Sequence, residues 1–569
     1  MRFLRMLTNA LLAGALGAAY LTILLLQLNP QIPLVSATVW RWYITLGALY
    51  GVHLAILFYV AMLAREFVSL NVFSPGWISV RLLAWLSAIA AAVAATLMWL
   101  NLRGFPNVFD EAAARRFAFG AGATTASAVV LLGIAIAHFS FGRRGSRVGA
   151  ALLLLAVTGS LALPIAARGL GGELPLGARR VTLAPATARE SPRISMLVLD
   201  GASLEYVWPR VASARLPNFG RLLDGGALLD LATIRPTQPD PVWAALATGM
   251  YPAKNGVRSA ASYFAPGDTR PIDLLPDHCF SHVLVRLGVV RDQPNSSSAL
   301  RARPLWSILG EYGLSAGIVR WPLTYPAQPI NGFLVSDGFH QMLGSVHEFD
   351  GRGAYPPDLL PVVRDAFGAA TGVAGDTAAT AAQQDEAYSR AARDLQNARP
   401  VQLTAVRYQG IDTVSHLYLR YAQPRDFPGV PDDERQRYGG ILDRYYAYID
   451  AEIGAAIDRL APGDLLLVIS GFGMRPVDPI KHAIGRLLRD PDVSGTHHNA
   501  PDGFLLAFGS DVQAGRNKQR GSIVDVTPTI LYFLGLPVGR DMDGFARADL
   551  FTPAFTAERP IAFIPSHGR

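Results

Sequence analysis

Two kinds of apolar run divide this chain. In the first 170 residues, five runs of about 20 residues are apolar almost throughout, and each could cross a hydrocarbon core of about 30 Å. They cover approximately residues 7–27, 43–63, 82–101, 118–140 and 148–167. The pattern predicts an all-α transmembrane domain of about five helices over residues 1–168. Arg2 and Arg5 before the first run are also typical of a signal peptide, but the four later runs favour an uncleaved first helix.

Arginines in the short loops between these runs predict the orientation of the domain. The loops on one side of the membrane contain Arg2, Arg5, Arg65, Arg81, Arg143, Arg144 and Arg147. This side should be cytoplasmic, because short loops with an excess of arginine remain in the cytoplasm. An odd number of spans then predicts a multi-pass protein of the cell membrane. Its C-terminal part would be extracytoplasmic, in the periplasm or outside the cell.

Shorter apolar runs in the second part of the chain alternate with helix-like segments. A Gly/Pro/Arg-rich stretch at 169–192 is interpreted as a linker. Strand-like runs follow at 194–201, 228–234, 315–321, 401–412, 464–470 and 503–509. Such runs are typical of strands buried on both faces, and their alternation with helices predicts an α/β fold with a mainly parallel central sheet flanked by helices. The domain should occupy residues 193–569, with insertions at about 254–304 and 338–400.

The positive charge of the chain is concentrated in its N-terminal part. Residues 1–180 contain 14 Arg, no Lys and 4 acidic residues, a net charge of +10, which leaves −3 of the total of +7 for the remainder. The second part therefore lacks the basic surface expected of a nucleic-acid-binding protein. Cys279 is the only cysteine, so an intrachain disulfide is excluded.

Polar residues follow several of the predicted strands, where the reactive groups of open α/β sheets gather. Asp412 and His416 are four residues apart in GIDTVSH, so one helical turn would point a carboxylate and an imidazole the same way. His497, in SGTHHNAPDG, is the best candidate for a third metal ligand, whereas His498 is interpreted as its neighbour only. Two histidines and one carboxylate leave a fourth position open, which is the arrangement of catalytic zinc sites.

Several segments resemble a known superfamily, and they occur in its order. The matching text includes LVLDGAS, LPNFGRLLDGGA, RPTQPDPVWAALATGMYPAKNGV, RYQGIDTVSHLY, VISGFGM and SGTHHNAPDGFLLAFGSDV. It resembles the alkaline phosphatase superfamily, most closely the type I phosphodiesterase/nucleotide pyrophosphatase branch, with the sulfatases more distant. The resemblance covers most of residues 190–550 and leaves the transmembrane domain outside. It implies an alkaline-phosphatase-like domain.

Family members of this kind hold two metal ions, usually zinc, and the resemblance implies where they would bind. One ion would be held by the residues that match an Asp and two His: Asp412, His416 and His497. The other ion would need Asp200, the oxygen of the nucleophile and an Asp–His pair. Gly471 and Phe472 stand at the positions of that pair, so both of its ligands are missing.

The nucleophile that the resemblance implies is missing as well. A Thr or Ser is usual at the position of Pro239, which has no hydroxyl group. Thr237 and Asp240 flank it and are weak candidates for its replacement, with a role in the turn as the alternative. Asp200 would either bind metal or accept hydrogen bonds at the start of the next helix. The sequence therefore predicts one metal ion, zinc or another divalent cation.

Two functions from different classes fit these residues. The first is a membrane-anchored, extracytoplasmic hydrolase of phosphoesters or sulfoesters that has one intact metal site and uses a metal-bound water. The second is a catalytically inactive pseudoenzyme that acts as a binding or scaffold module in the envelope. The expected partners are the lipid bilayer and a small-molecule, lipid or glycan phosphoester, and nucleic acid is not expected.

Overall fold

The computed structural model describes residues 1–69, 75–140, 147–172, 192–278, 281–343, 351–368, 377–478, 493–516 and 520–568. The chain divides into two compact units. The helical unit comprises Met1–Leu176 and Ala261–Pro294, and the sheet unit comprises Gly177–Ala260 and Asn295–Arg569. Cys279 and most of the linker predicted at 169–192 lie outside the described residues.

The elements of the described residues follow one another in this order. The helices are α1 (Arg2–Leu28), α2 (Ala37–Leu46), α3 (Val52–Ser69), α4 (Val80–Gly104), α5 (Glu111–Ser140), α6 (Arg147–Arg168), α7 (Leu204–Ala212), α8 (Pro217–Gly225), α9 (Pro239–Thr248), α10 (Pro252–Asn255), α11 (Ser281–Arg286), α12 (Leu305–Glu311), α13 (Phe339–Leu343), α14 (Leu360–Gly368), α15 (Thr377–Ala398), α16 (Gly410–Ala422), α17 (Asp432–Tyr438), α18 (Ile441–Ile457), α19 (Val526–Phe533) and α20 (Pro553–Glu558). The strands are β1 (Ile194–Leu199), β2 (Ala227–Ala232), β3 (Ala261–Phe264), β4 (Arg291–Pro294), β5 (Ala316–Trp321), β6 (Gly332–Ser336), β7 (Ala354–Tyr355), β8 (Leu403–Tyr408), β9 (Leu465–Phe472), β10 (Arg475–Pro476), β11 (Gly495–Thr496), β12 (Asp502–Phe508), β13 (Gly515–Arg516), β14 (Gly521–Ser522), β15 (Val538–Gly539) and β16 (Phe563–Ile564).

Long apolar helices form most of the helical unit. In the described part of the chain, five helical segments are long and apolar enough to cross a membrane: α1, α2 continued by α3, α4, α5 and α6. Their positions agree with the five apolar runs of the sequence, and they indicate a membrane protein. A π-helical turn at Gly47–Gly51 joins α2 to α3, so these two helices form one continuous span.

A buried arginine joins the ends of the first and last of these helices. Arg168, at the end of α6, donates hydrogen bonds to the carbonyl oxygens of Leu26 at 2.7 Å and Asn29 at 3.0 Å, and also to that of Ile32. The last carbonyl groups of a helix have no partner within the helix and carry partial negative charge. The guanidinium group therefore stabilises the C-terminal end of α1.

Residues 261–294 come from the middle of the chain and pack on the helical unit. Leu274 lies in one apolar cluster with residues of α1, α4 and α5, and Ile272 and Leu275 lie in a second cluster with Trp42. The strands β3 and β4 pair antiparallel within the segment. The insertion predicted at about 254–304 thus includes a part that adds apolar and polar contacts to the transmembrane helices.

Two fully buried asparagines bind the backbone of this segment. Asn29 Nδ2 donates to the carbonyl oxygen of Leu274 at 2.8 Å, and Asn29 Oδ1 accepts from the backbone N–H groups of Asp273 and Leu274, both at 3.0 Å. Asn101 Oδ1 accepts from the backbone N–H of Asp277 at 2.8 Å. Because buried amides and backbone groups need partners, these bonds determine where the segment binds.

Replacing Asn29 with leucine should release the inserted segment from the helical unit. The change removes one donor and one double acceptor, and the buried backbone groups left without partners should destabilise the segment by about 3 kcal/mol. Hydrogen exchange of the full-length protein in detergent micelles should show faster exchange across residues 261–278. Thr96→Val is the matched control, because Thr96 is exposed and bonds only within its own helix, to Ala92. Unchanged protection in the Asn29 variant would contradict this role.

The sheet unit is built on a ten-stranded sheet in the described residues. Its strand order is β13-β2-β12-β9-β1-β8-β5-β6-β7, with β14 also beside β2. The central strands β9, β1, β8, β5 and β6 run parallel, whereas β12 and β7 are antiparallel to their neighbours. This confirms the predicted α/β class with a mainly parallel sheet. The predicted run at 401–412 is a strand only to Tyr408, and α16 begins at Gly410.

Helices cover both faces of this sheet. One core contains side chains of α9, α12 and α19, and the other contains side chains of α7, α8, α15 and α18. Burial on both faces explains why every residue of β9 is buried and why its sequence is apolar almost throughout. The strand β6 was not predicted, and its parallel pairing with β5 brings Asp337 to the carboxyl edge of the sheet.

Candidate metal site

The carboxyl edge of the central strands brings most of the candidate residues to one region. Asp200 directly follows β1, and α16 with Asp412 and His416 begins two residues after β8. Gly471 and Phe472 end β9. Because β1, β8 and β9 are parallel, these positions lie at the same edge, where open α/β sheets place their sites.

Three of the candidate ligands come close enough to share a metal ion. One ligand atom each from Asp412, His416 and His497 lies within 4.8 Å of the others. Asp412 Oδ2 is 3.5 Å from His416 Nε2, because the two residues are one turn apart on α16. The rings of His416 and His497 meet edge to face, with centroids 5.3 Å apart. His497 lies in the turn between β11 and β12, and this turn brings it to α16.

The hydrogen bonds of the two histidines leave the same nitrogen available on each ring. Nδ1 of His416 is 2.6 Å from the carbonyl oxygen of Gly495, and Nδ1 of His497 is 2.8 Å from that of Thr237. A carbonyl oxygen only accepts, so each Nδ1 carries the hydrogen and each neutral ring keeps the lone pair on Nε2. Metal-binding histidines are commonly oriented in this way. The residues present therefore fit a metal ion.

The carboxylate of Asp412 has further capacity to bind an ion. Its Oδ1 atom is buried and has no hydrogen-bond partner in the described residues. Although burial lowers it, the hydrogen bond with Asp412 raises the pKa of His416 above the usual value of histidine. A proton and a metal ion therefore compete for Nε2 of His416, which makes metal affinity fall at acidic pH.

The loop after β9 is a packing element. Phe472 is fully buried, and its ring contacts those of Trp243 and His497, with centroid distances of 6.2 Å and 5.3 Å. A Cβ atom on Gly471 would be 2.5 Å from Val242 Cγ1 and 3.1 Å from the Trp243 ring, so any side chain there requires its neighbours to move. The two positions that lack metal ligands are thus occupied by apolar contacts.

The turn before α9 contains no free hydroxyl group at the position expected for a nucleophile. Pro239 is the first residue of α9, where a missing N–H costs nothing. Thr237 is buried, and its hydroxyl donates to the carbonyl oxygen of Ile234 at 3.0 Å. These contacts give Thr237 a part in the turn, and its carbonyl orients His497.

Asp200 forms a buried ion pair that the sequence analysis did not identify. Nε and Nη2 of Arg407 both donate to Asp200 Oδ2, with an Nε–Oδ2 distance of 3.0 Å. The carboxylate is fully buried and Arg407 is 4% exposed. Arg407 lies on β8 opposite Val198 of β1, and this register brings the two side chains together. A charged residue inside the apolar run VQLTAVRY was the available signal, because buried charges are almost always paired.

Further charged groups surround this ion pair. Burial raises the pKa of Asp240 to about 7, and Asp337 and Asp200 add to the increase while Arg407 opposes it. Burial also raises the pKa of Asp337, again against Arg407. Arg320 pairs with Asp385 and has a φ of +61°, uncommon for a residue with a side chain. Strained and ionisable residues of this kind concentrate at functional sites.

The sheet unit is thus an α/β domain with a candidate metal site of three residues, and apolar helices precede it. The model of the type I phosphodiesterase/nucleotide pyrophosphatase family matches residues 195–525, more than half of the chain. The chain belongs to this family, as the order of its motifs predicted. The family is metal-dependent, and the cluster of Asp412, His416 and His497 is consistent with that property.

Several solved structures match part of this chain. They include murine ectonucleotide pyrophosphatase/phosphodiesterase 5 as an inactive variant in complex with AMP, at 12% identity and a TM-score of 0.39. A second structure of the murine protein has 12% identity and a TM-score of 0.38. The structure of the human protein has 13% identity and a TM-score of 0.38. Each match covers 63% of this chain and 100% of the other. No curated protein sequence matches this chain.

Proposed function

We propose that this protein is a membrane-anchored phosphoester hydrolase with a single divalent metal ion, zinc by preference, held by Asp412, His416 and His497. The observation that carries the proposal is the orientation of the two imidazoles. Both rings bond a backbone carbonyl through Nδ1, and the ligand atoms of all three residues converge within 4.8 Å. Two imidazoles and one carboxylate suit zinc and leave a position open for a substrate oxygen or water.

The bound ion would supply Lewis acidity for a phosphoryl oxygen and for water. The protein's own residues have separate roles. Asp412 would neutralise part of the ion's charge, and the carbonyl groups of Gly495 and Thr237 hold the imidazoles in the required tautomer. Pro239 provides no oxygen, so a covalent phosphoenzyme cannot form at that position. Attack by water is the reaction that these residues permit, on a phosphoester or on the related sulfoesters.

Hydrolysis of bis(p-nitrophenyl) phosphate by full-length protein in micelles tests this proposal. The rate should depend on added zinc, fall to background after chelation and stay at background in Asp412→Asn, because the amide is a poor ligand for zinc. Asp426→Asn is the matched control, since Asp426 follows the same helix but is exposed. Zinc-independent hydrolysis, or equal rates in the Asp412 and Asp426 variants, would refute the assignment.

A second function, a catalytically inactive binding or scaffold module, is favoured by one specific observation. Gly471 and Phe472 have no ligand atoms and Pro239 has no hydroxyl group, so three of the groups for a second ion are absent together from the described residues of the site. Asp200, the fourth, is present and pairs with Arg407 through Oδ2. A zinc-loaded protein that binds phosphate but hydrolyses neither mono- nor diesters would support this alternative. Its partner would be a small-molecule, lipid or glycan phosphoester in either case.

The orientation in the membrane is the remaining part of the proposal. We infer that the sheet unit is extracytoplasmic, because the arginine-rich loops of the transmembrane helices lie on the opposite side. Reporter fusions after residue 145 and at the C-terminus should report opposite sides of the membrane, with the C-terminal reporter outside the cytoplasm. A fusion after residue 105 is the control and should agree with the C-terminal one. The same side for residue 145 and the C-terminus would refute the topology.

A further inference from the structure

The ion pair of Arg407 and Asp200 lies beside the candidate metal site. Gly201 follows Asp200 with a φ of +69°, and a Cβ atom there would be only 3.1 Å from Asp412 Oδ1. The backbone next to the ion pair therefore contacts the carboxylate that would bind the metal. A guanidinium group has five N–H donors, and two of its nitrogens bond Asp200. Among the described residues its Nη1 group has no hydrogen-bond acceptor, so this group is left for another acceptor.

Arg407 is surrounded by more carboxyl groups than the one it bonds. Asp200, Asp240 and Asp337 act on it electrostatically from β1, α9 and the end of β6. Asp200 is the one of these that it bonds directly, through both Nε and Nη2. The guanidinium group of Arg407 is always positively charged. It lies where β1, α9 and β6 meet, at the edge of the sheet where a phosphoryl group would bind.

We propose that Arg407 supplies, within the protein, the positive charge that a second metal ion would otherwise bring to the phosphoryl group. It compensates Asp200 without a metal and donates its remaining N–H groups to a phosphate oxygen. Arginine suits this task because its planar fork matches the oxygens of phosphate. The inference rests on the proposed function, since it requires a phosphoester at the site of Asp412, His416 and His497.

Calorimetric titration of the zinc-loaded, full-length protein with inorganic phosphate tests the role of Arg407. The variant Arg407→Met with Asp200→Asn removes both partners of the ion pair together, so that neither is left buried with its charge and without the other. Its zinc content should stay at one ion per chain, and its Kd for phosphate should rise by about 10- to 100-fold. Arg407→Gln with Asp200→Asn keeps a polar pair of similar size and serves if the first variant does not fold. Its phosphate affinity should fall likewise.

A control and two contrary outcomes complete the test. Arg210→Met with Asp443→Asn removes another ion pair of the sheet unit and should leave the Kd unchanged. Phosphate affinity within about twofold of wild type in the Arg407 double variants would overturn the role of Arg407 alone, because a charge-assisted hydrogen bond is worth more than that. A wild-type protein that holds zinc but binds no phosphate would overturn the proposed function together with this inference. These two failures are therefore distinguishable.

Discussion

Alanine in place of His416 should remove the metal ion from this protein. Wild-type protein should retain about one zinc per chain after gel filtration, and the variant should retain almost none. The free energy of zinc binding at such sites is of the order of 10 kcal/mol, so loss of one of three ligands should weaken binding on the order of 1000-fold. Elemental analysis of protein purified in the presence of zinc measures both values.

His498→Ala is the matched control for this experiment. His498 lies next to a ligand in the sequence and is absent from the cluster of three that the described residues form. Its zinc content should equal that of wild type. Two tightly held ions per wild-type chain, or none, would contradict the single site. Equal zinc contents in the His416 and His498 variants would show that the ion binds elsewhere.

Turnover of aryl phosphate mono- and diesters should be at least about 100-fold slower than in a two-metal member of the family, about 2.7 kcal/mol in barrier height. In a two-metal mechanism one ion holds the attacking oxygen and the other the leaving oxygen. Here Pro239 lacks the hydroxyl, Asp200 is bound by Arg407, and Phe472 fills the place of a ligand. Steady-state rates at saturating zinc measure the difference. Rates typical of the family, with a trapped covalent intermediate, would contradict it.

Restoring the missing groups by Pro239→Thr, Gly471→Asp and Phe472→His should not restore this activity. A Cβ atom added at Gly471 would be 2.5 Å from Val242 Cγ1, so the aspartate should cost about 1–3 kcal/mol of stability. Asp200 would also remain bound by Arg407. Pro239→Thr alone is the control and should unfold near the wild-type temperature. A fully active, equally stable triple variant would show that positions 471 and 472 can accommodate metal ligands.

The hydrophobic pattern predicted the helices and strands because the residues that one helix or strand buries are close together in the sequence. The apolar run of β9 has all its residues buried, and the five long runs became helices of spanning length. Asp412 and His416 were predicted as a pair because their spacing on one helix implies proximity. His497 lies far beyond them in the chain, so spacing made it a candidate only, and the order of the family's motifs strengthened its connection with them. Its role as a ligand stays a prediction.

Contacts between distant segments explain what the sequence could not predict. Arg407 and Asp200 are separated by 207 residues, and Asn29 and Leu274 by 245. Arg407 stands inside an apolar run of the sequence, which is a signal that a buried partner exists. The identity of the partner depended on strand register for the first pair and on the docking of residues 261–294 for the second.

The contacts of Asn29 also impose an order on biosynthesis. The transmembrane helices are complete by Arg168, yet their partner segment ends at Pro294 and follows β1, β2 and α9 in the chain. During translation these helices are therefore synthesised long before the backbone groups of Leu274 and Asp277 that their buried asparagines bind. Synthesis of the helices and binding of the inserted segment are therefore separate events.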